Sequence, residues 1–99
     1  MVGTLRIDLR SGFDRDAVEI WIDEECRWRA DAVTTKFTLD LAASVPFESA
    51  EGPADVRIVL PDRGLDQAIE AFVAGETHVA VRVEGDRLVV EQQAPMPHG

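Results

Sequence analysis

The sequence predicts an all-β fold, a two-sheet antiparallel β-sandwich of about seven strands, and three observations carry that expectation. Apolar and polar residues alternate with period two along most of the chain, the pattern of strands with one wet face. Turn chemistry separates the alternating runs, and at Gly85-Asp86 it takes the two-residue form that the right-handed twist of paired strands favours. The 99 residues are 45% hydrophobic, enough for a single domain to bury a core without disulfides or a structural metal.

The elements follow in order. Leu5, Ile7 and Leu9 alternate with Arg6, Asp8 and Arg10 in a first strand, which Ser11-Gly12 and Asp14-Arg15-Asp16 end with turn chemistry. Val18, Ile20 and Ile22 are the inward set of a second strand, with Glu19, Trp21 and Asp23 on its other face. Cys26, Trp28 and Ala30 face inward in a third strand. A three-residue loop Asp23-Glu24-Glu25 sets Ile22 opposite Cys26, Ile20 opposite Trp28 and Val18 opposite Ala30. On the outer face the same register pairs Trp21 with Arg27 and Glu19 with Arg29. A slip of one residue would put Ile22 against Arg27.

Phe37, Leu39 and Leu41 read as a fourth strand, with Val45-Pro46-Phe47 a short irregular continuation, since proline sits only at an edge or a bulge. Glu48-Ser49-Ala50-Glu51-Gly52-Pro53 reads as a loop. Val56, Ile58 and Leu60 form a strand stopped by Pro61-Asp62-Arg63-Gly64. The last hairpin places Val83 opposite Leu88 and Val81 opposite Val90, with a dry stripe of Val79, Val81, Val83, Leu88 and Val90.

Residues 65–73 read two ways. Apolar residues at 65, 68, 69, 72 and 73 mark one face of a helix, with Gly75 beyond its end. Leu65, Ile69, Ala71 and Val73 also alternate as a strand, and a sheet short of a partner favours that reading. A helix here would make the fold α+β. One domain is expected over residues 1–93, with a tail over 94–99 that carries two prolines and no periodicity.

Three pieces of the chain resemble a group of small uncharacterised bacterial β-sandwich proteins. They are the strand-turn-strand from Asp14 to Val33, Thr34-Thr35 leading to Leu41-Ala42-Ala43-Ser44, and Pro61-Asp62-Arg63-Gly64-Leu65 between two apolar runs. In layout the chain is also similar to prealbumin-like and immunoglobulin-like sandwiches, without the paired cysteines of the latter. The resemblance implies a sandwich and favours a strand at 65–73. It implies no catalytic residue and no ligand.

The formal net charge of −9 opposes docking on nucleic acid or an anionic membrane. One cysteine, no signal-peptide pattern and no apolar run of bilayer length make the cytoplasm the expected compartment. Ser11, Ser44 and Ser49 lie outside any nucleophile elbow, and neither His78 nor His98 has an evident acidic partner in the sequence. Cys26 reads as an inward structural thiol. Zinc lacks a ligand set, and Asp14, Asp16, Asp23, Glu24 and Glu25 flank opposite ends of one strand, too far apart to converge on calcium. No cofactor and no enzymatic activity are expected; an enzyme whose site forms only between subunits is the weakest reading.

What remains is a surface. Trp21, Arg27, Arg29 and Glu19 form the candidate interaction patch, in residue types that dominate protein interfaces. Internal packing of this patch is the structural alternative, and a sugar stacked on tryptophan the ligand-binding one. With Lys36 the only lysine to guard an edge, self-association, most simply as a homodimer, is also expected. The first functional expectation is therefore a non-catalytic interaction or self-association module, and the second a small-ligand or carbohydrate-binding module.

Overall fold

A computed structural model describes residues 2–36, 38 and 41–93. They form eight strands: β1 (Val2–Leu9), β2 (Asp16–Ile22), β3 (Glu25–Val33), β4 (Ala43–Ala50), β5 (Gly52–Leu60), β6 (Leu65–Val73), β7 (Glu76–Glu84) and β8 (Arg87–Gln92). Two four-stranded sheets result. Sheet I has the order β4-β1-β7-β8 and sheet II the order β3-β2-β5-β6. The fold is the expected sandwich, with eight strands in place of about seven, and residues 65–73 are a strand.

The inward residues of both sheets make one core. Leu5, Ile7 and Leu9 of β1, Val18 and Ile20 of β2, Val56, Ile58 and Leu60 of β5, and Val79 and Val81 of β7 are all fully buried. Burying each such side chain is worth about 1.5–3 kcal/mol, and a one-residue slip in any strand would forfeit the whole set at once. Pairing is antiparallel throughout except between β1 and β7, which run parallel with Ile7 beside Val79. That neighbour relation joins residues some seventy positions apart and has no local signature.

The β7–β8 hairpin has the expected register, Glu84 opposite Arg87 through Val81 opposite Val90, around Gly85 at φ 63°. The β2–β3 hairpin differs from expectation. Its turn has two residues, not three: Asp23 and Glu24 both adopt positive φ, at 50° and 68°, so Ile22 pairs with Glu25. Glycine is dispensable here because β5 holds the turn. The Asp23 N–H donates to the Asp55 carbonyl at 2.9 Å, and the Asp55 N–H donates to Asp23 Oδ1 at 2.9 Å. A β-bulge between Trp28 and Cys26 then absorbs one residue and restores the expected pairs Ile20–Trp28, Glu19–Arg29 and Val18–Ala30.

Residues 48–53 are not a loop. Glu48, Ser49 and Ala50 pair with Thr4, Gly3 and Val2, extending β4 into a regular eight-residue edge strand that carries Pro46. Only Glu51 separates β4 from β5, and Gly52 at φ 120° turns the chain from sheet I to sheet II. Polar composition marks that corner as a loop, but its two arms are paired strands, one beside β1 and the other beside β6. The expected strand over Phe37, Leu39 and Leu41 rests mainly on Phe37 and Leu39, which lie outside the described residues. Leu41 forms an isolated bridge with Lys36. The expected tail over 94–99 also lies outside them.

Phe13, between the turn residues Ser11-Gly12 and Asp14-Arg15-Asp16, is buried in the core. Its N–H donates to Thr35 Oγ1 at 3.0 Å and its carbonyl accepts from the Thr35 N–H at 2.9 Å, so the segment after β3 clamps it in place.

Candidate functional site

The candidate site lies on the outer face of sheet II, and the register of three strand pairs builds it row by row. In one row Arg29, Glu19, Val59 and Asp66 stand side by side across β3, β2, β5 and β6. The next row holds Cys26, Trp21, Arg57 and Ala68. Asp55 and Glu70 follow, with Glu24 of the turn at their side, and Pro53 and Phe72 end the face. Within this face an open groove of about 830 Å³ is lined by Glu19, Trp21, Glu24, Asp55, Arg57 and Val59, with β6 as its far wall.

Hydrogen bonds fix its floor. The Trp21 indole N–H donates to Glu19 Oε1 at 3.0 Å, and the second oxygen of Glu19 meets Arg29 at 3.3 Å. Glu19 therefore sets the plane of the indole and ties it to β3. Arg57 grips Asp66 in a two-pronged contact, Nε donating to Oδ1 at 2.8 Å and Nη2 to Oδ2. This hydrogen bonding, aided by the charge of Arg57, holds the Asp66 carboxyl below its ordinary range. Five carboxylates line the groove, those of Glu19, Glu24, Asp55, Asp66 and Glu70, against the one guanidinium of Arg57. Among the described residues no ion pair engages Glu24, Asp55 or Glu70. The groove thus presents an aromatic floor within a negative field. Exposed Phe72, 61% accessible, prolongs the face beyond it.

Three of the four expected patch residues come together: Trp21, Glu19 and Arg29. Arg27 does not join them. The bulge takes it out of register with Trp21, whose partner across the strand is Cys26. The Arg27 guanidinium instead lies 5.8 Å from the centroid of the Phe47 ring, across the sandwich on β4. The same bulge corrects the placing of Cys26. It sits opposite Trp21 rather than beside Ile22, half-buried, with its thiol 3.7 Å from the Trp28 carbonyl. The residues of β5 and β6 that complete the groove, Asp55, Arg57, Asp66 and Glu70, were not singled out from sequence. Their alternation with the inward Val56, Ile58 and Ile69 was the available signal.

Comparison with known protein families, with curated proteins and with solved structures finds no match.

A second polar cluster occupies the outer face of sheet I. His78, without an evident partner in the sequence, lies between two acids: Nδ1 is 3.0 Å from Asp8 Oδ2 and Nε2 is 3.3 Å from Glu76 Oε1. The parallel register of β1 and β7 brings Asp8 beside His78, while Glu76 lies two residues earlier on β7 itself. The Ser44 hydroxyl donates to Asp8 Oδ1 at 2.6 Å and Arg6 contacts both Glu76 and Ser44. Asp8 is buried, and these bonds satisfy it. Among the described residues no group of three or more acidic, histidine or cysteine side chains has the geometry to hold a metal. No helix among them is long and apolar enough to cross a membrane.

Proposed function

We propose that this chain is a non-catalytic interaction module that docks a basic segment of a partner protein in the Trp21 groove. The observation that carries this reading is the placement of Trp21, fixed by Glu19, among five groove carboxylates, of which Glu19 is paired with Arg29 and Asp66 with Arg57 while Glu24, Asp55 and Glu70 have no ion-pair partner among the described residues. An arginine or lysine side chain laid over the indole gains cation–π attraction of about 0.5–2 kcal/mol. Its charge also meets Glu24, Asp55 and Glu70. Seven residues of β5, from Pro53 to Val59, give the face a length of roughly 20 Å, which suits a short extended peptide.

The cluster on sheet I supports the non-catalytic side of the proposal. A serine nucleophile needs a base to take its proton, and here the Ser44 hydroxyl is bonded to Asp8 while His78 turns its two nitrogens to Asp8 and Glu76. The arrangement binds β4, β1 and β7 together. Electrostatic steering by a protein of net charge −9 would favour a cationic partner at the encounter stage as well.

Calorimetric titration of the full chain with a short arginine- and lysine-rich peptide tests the proposal. Binding should weaken as salt is raised, and Trp21→Ala should weaken it by about thirtyfold, the loss expected of an aromatic anchor. Absence of binding, or binding indifferent to Trp21, would refute it. A response to a neutral glycan in place of the basic peptide would transfer the groove to the carbohydrate-binding reading.

A further inference from the structure

We infer that the free edge of β3 pairs with β3 of a second copy of this chain, antiparallel and centred on Ala30, joining two copies of sheet II into one eight-stranded sheet. The inference begins from how the other three edges are closed. On β4, Pro46 removes a backbone donor from the edge. On β6, the side-chain amide of Gln92 occupies the backbone of Phe72, accepting from its N–H and donating to its carbonyl at 2.9 Å each. That bond draws β8, only six residues long, against the same side of the sandwich. Among the described residues β3 pairs with β2 alone, and its opposite edge has no strand, proline or side-chain amide across it.

Charge selects the register. In an antiparallel pair of identical strands, residues facing one another must share a face, so the centre falls on a single residue. The regular register of β3 runs from Trp28 to Ala30, bounded by the bulge at Arg27 and by a second irregularity over Asp31 and Ala32, the latter at φ 57°. Centring on Trp28 sets Arg27 against the partner's Arg29 and Glu25 against the partner's Asp31. Centring on Arg29 sets two guanidinium groups face to face. Centring on Ala30 alone places Arg29 opposite the partner's Asp31, twice by symmetry, with the two small Ala30 side chains meeting on the inner face. Arg29 is exposed and already meets Glu19 through one nitrogen, leaving further donors for a second carboxylate. Half-buried Trp28, next to the axis on the inner face, would gain cover. The joined sheet carries both Trp21 grooves on one continuous outer face, presenting two docking sites side by side.

Sedimentation equilibrium of the full chain over a wide concentration range, with circular dichroism to verify the fold of each variant, tests the inference. The unaltered chain should show a monomer–dimer equilibrium. Asp31→Arg sets like charges opposite in both symmetric contacts and should weaken the dimer by about tenfold. The double variant Arg29→Asp with Asp31→Arg reverses both charges and should recover it. A strictly monomeric chain, a dimer insensitive to Asp31→Arg, or a double variant no better than the single one would overturn the inference.

Discussion

Arg63, in the turn after β5, grips the buried carboxylate of Asp16 at the start of β2, Nε to Oδ1 at 2.7 Å and Nη2 to Oδ2 at 2.9 Å. The Asp14 N–H adds a third bond at 2.8 Å, and Arg63 also reaches the Gly12 carbonyl at 3.3 Å. One ion pair thereby locks the turn Pro61–Arg63 to the loop that leads into β2. Asp16 is 5% exposed, so removing its partner would strand a charge away from water. Arg63→Ala should cost roughly 2–3 kcal/mol, read as a lower urea midpoint with unchanged slope. A loss within a few tenths of a kcal/mol would mean that water replaces the guanidinium freely.

Two glycines with positive φ should behave differently when replaced. A Cβ at Gly12, φ 89°, would fall 2.1 Å from the Val83 carbonyl oxygen, a contact that only movement of the β7 backbone could relieve. Gly12→Ala should therefore cost about 3 kcal/mol or more. At Gly85, φ 63°, no atom beyond its two chain neighbours lies within 4 Å of that position, and Gly85→Ala should cost only about 1 kcal/mol for the left-handed backbone. Thermal or urea unfolding of the two variants side by side checks the ordering.

Much of this fold was legible in the sequence because period-two alternation reports burial directly. The inward sets of β1, β2, β5 and β7 could be read residue by residue, and the Gly85-Asp86 hairpin needed no tertiary information. The failures share a different cause. Asp23 and Glu24 form a two-residue turn because Asp55, thirty-two positions away, bonds to Asp23. Glu48–Ala50 are strand because Val2–Thr4 lie beside them. Segment 65–73 has helical spacing that the unpaired edge of β5 overrules across nine matched positions. The candidate site was half legible for the same reason. Trp21, Glu19 and Arg29 belong to one hairpin, whereas Arg57 and Asp66 reach the groove only through sheet order.

Acid should loosen the fold through carboxylates held by arginine. The pKa of Asp66 is lowered by its hydrogen bonds to Arg57, and that of Glu84 by its hydrogen bond to Arg82. Each binds a proton less readily in the folded chain than in the unfolded one. The stability they contribute is therefore present above the ordinary carboxylate range near pH 4 and is lost as pH falls through the lower folded values. Urea midpoints measured downward from neutral pH should fall in that acid window. Arg57→Ala and Arg82→Ala should each make the fall shallower, and an unchanged acid limb in both variants would contradict this assignment.

Gln92 should matter more than an exposed glutamine usually does. Its amide stands in for a neighbouring strand along the Phe72 backbone. Gln92→Ala should leave the Phe72 amide open to solvent, seen as faster hydrogen exchange at that one site, with a stability loss of about 1 kcal/mol. It should also increase association through the freed β6 edge. Unaltered exchange at Phe72 would show that the side chain does not guard the edge in solution.

The central proposal, a basic segment docked over Trp21, can be read from the two indole N–H resonances in a proton–nitrogen correlation spectrum. Titration of the full chain with an arginine- and lysine-rich peptide should shift the Trp21 indole and the amides of Asp55, Arg57 and Glu70, and leave the inward Trp28 indole in place. Raising the salt should reverse the shifts. A spectrum in which Trp21 stays still while other surfaces respond, or in which nothing responds, would contradict it.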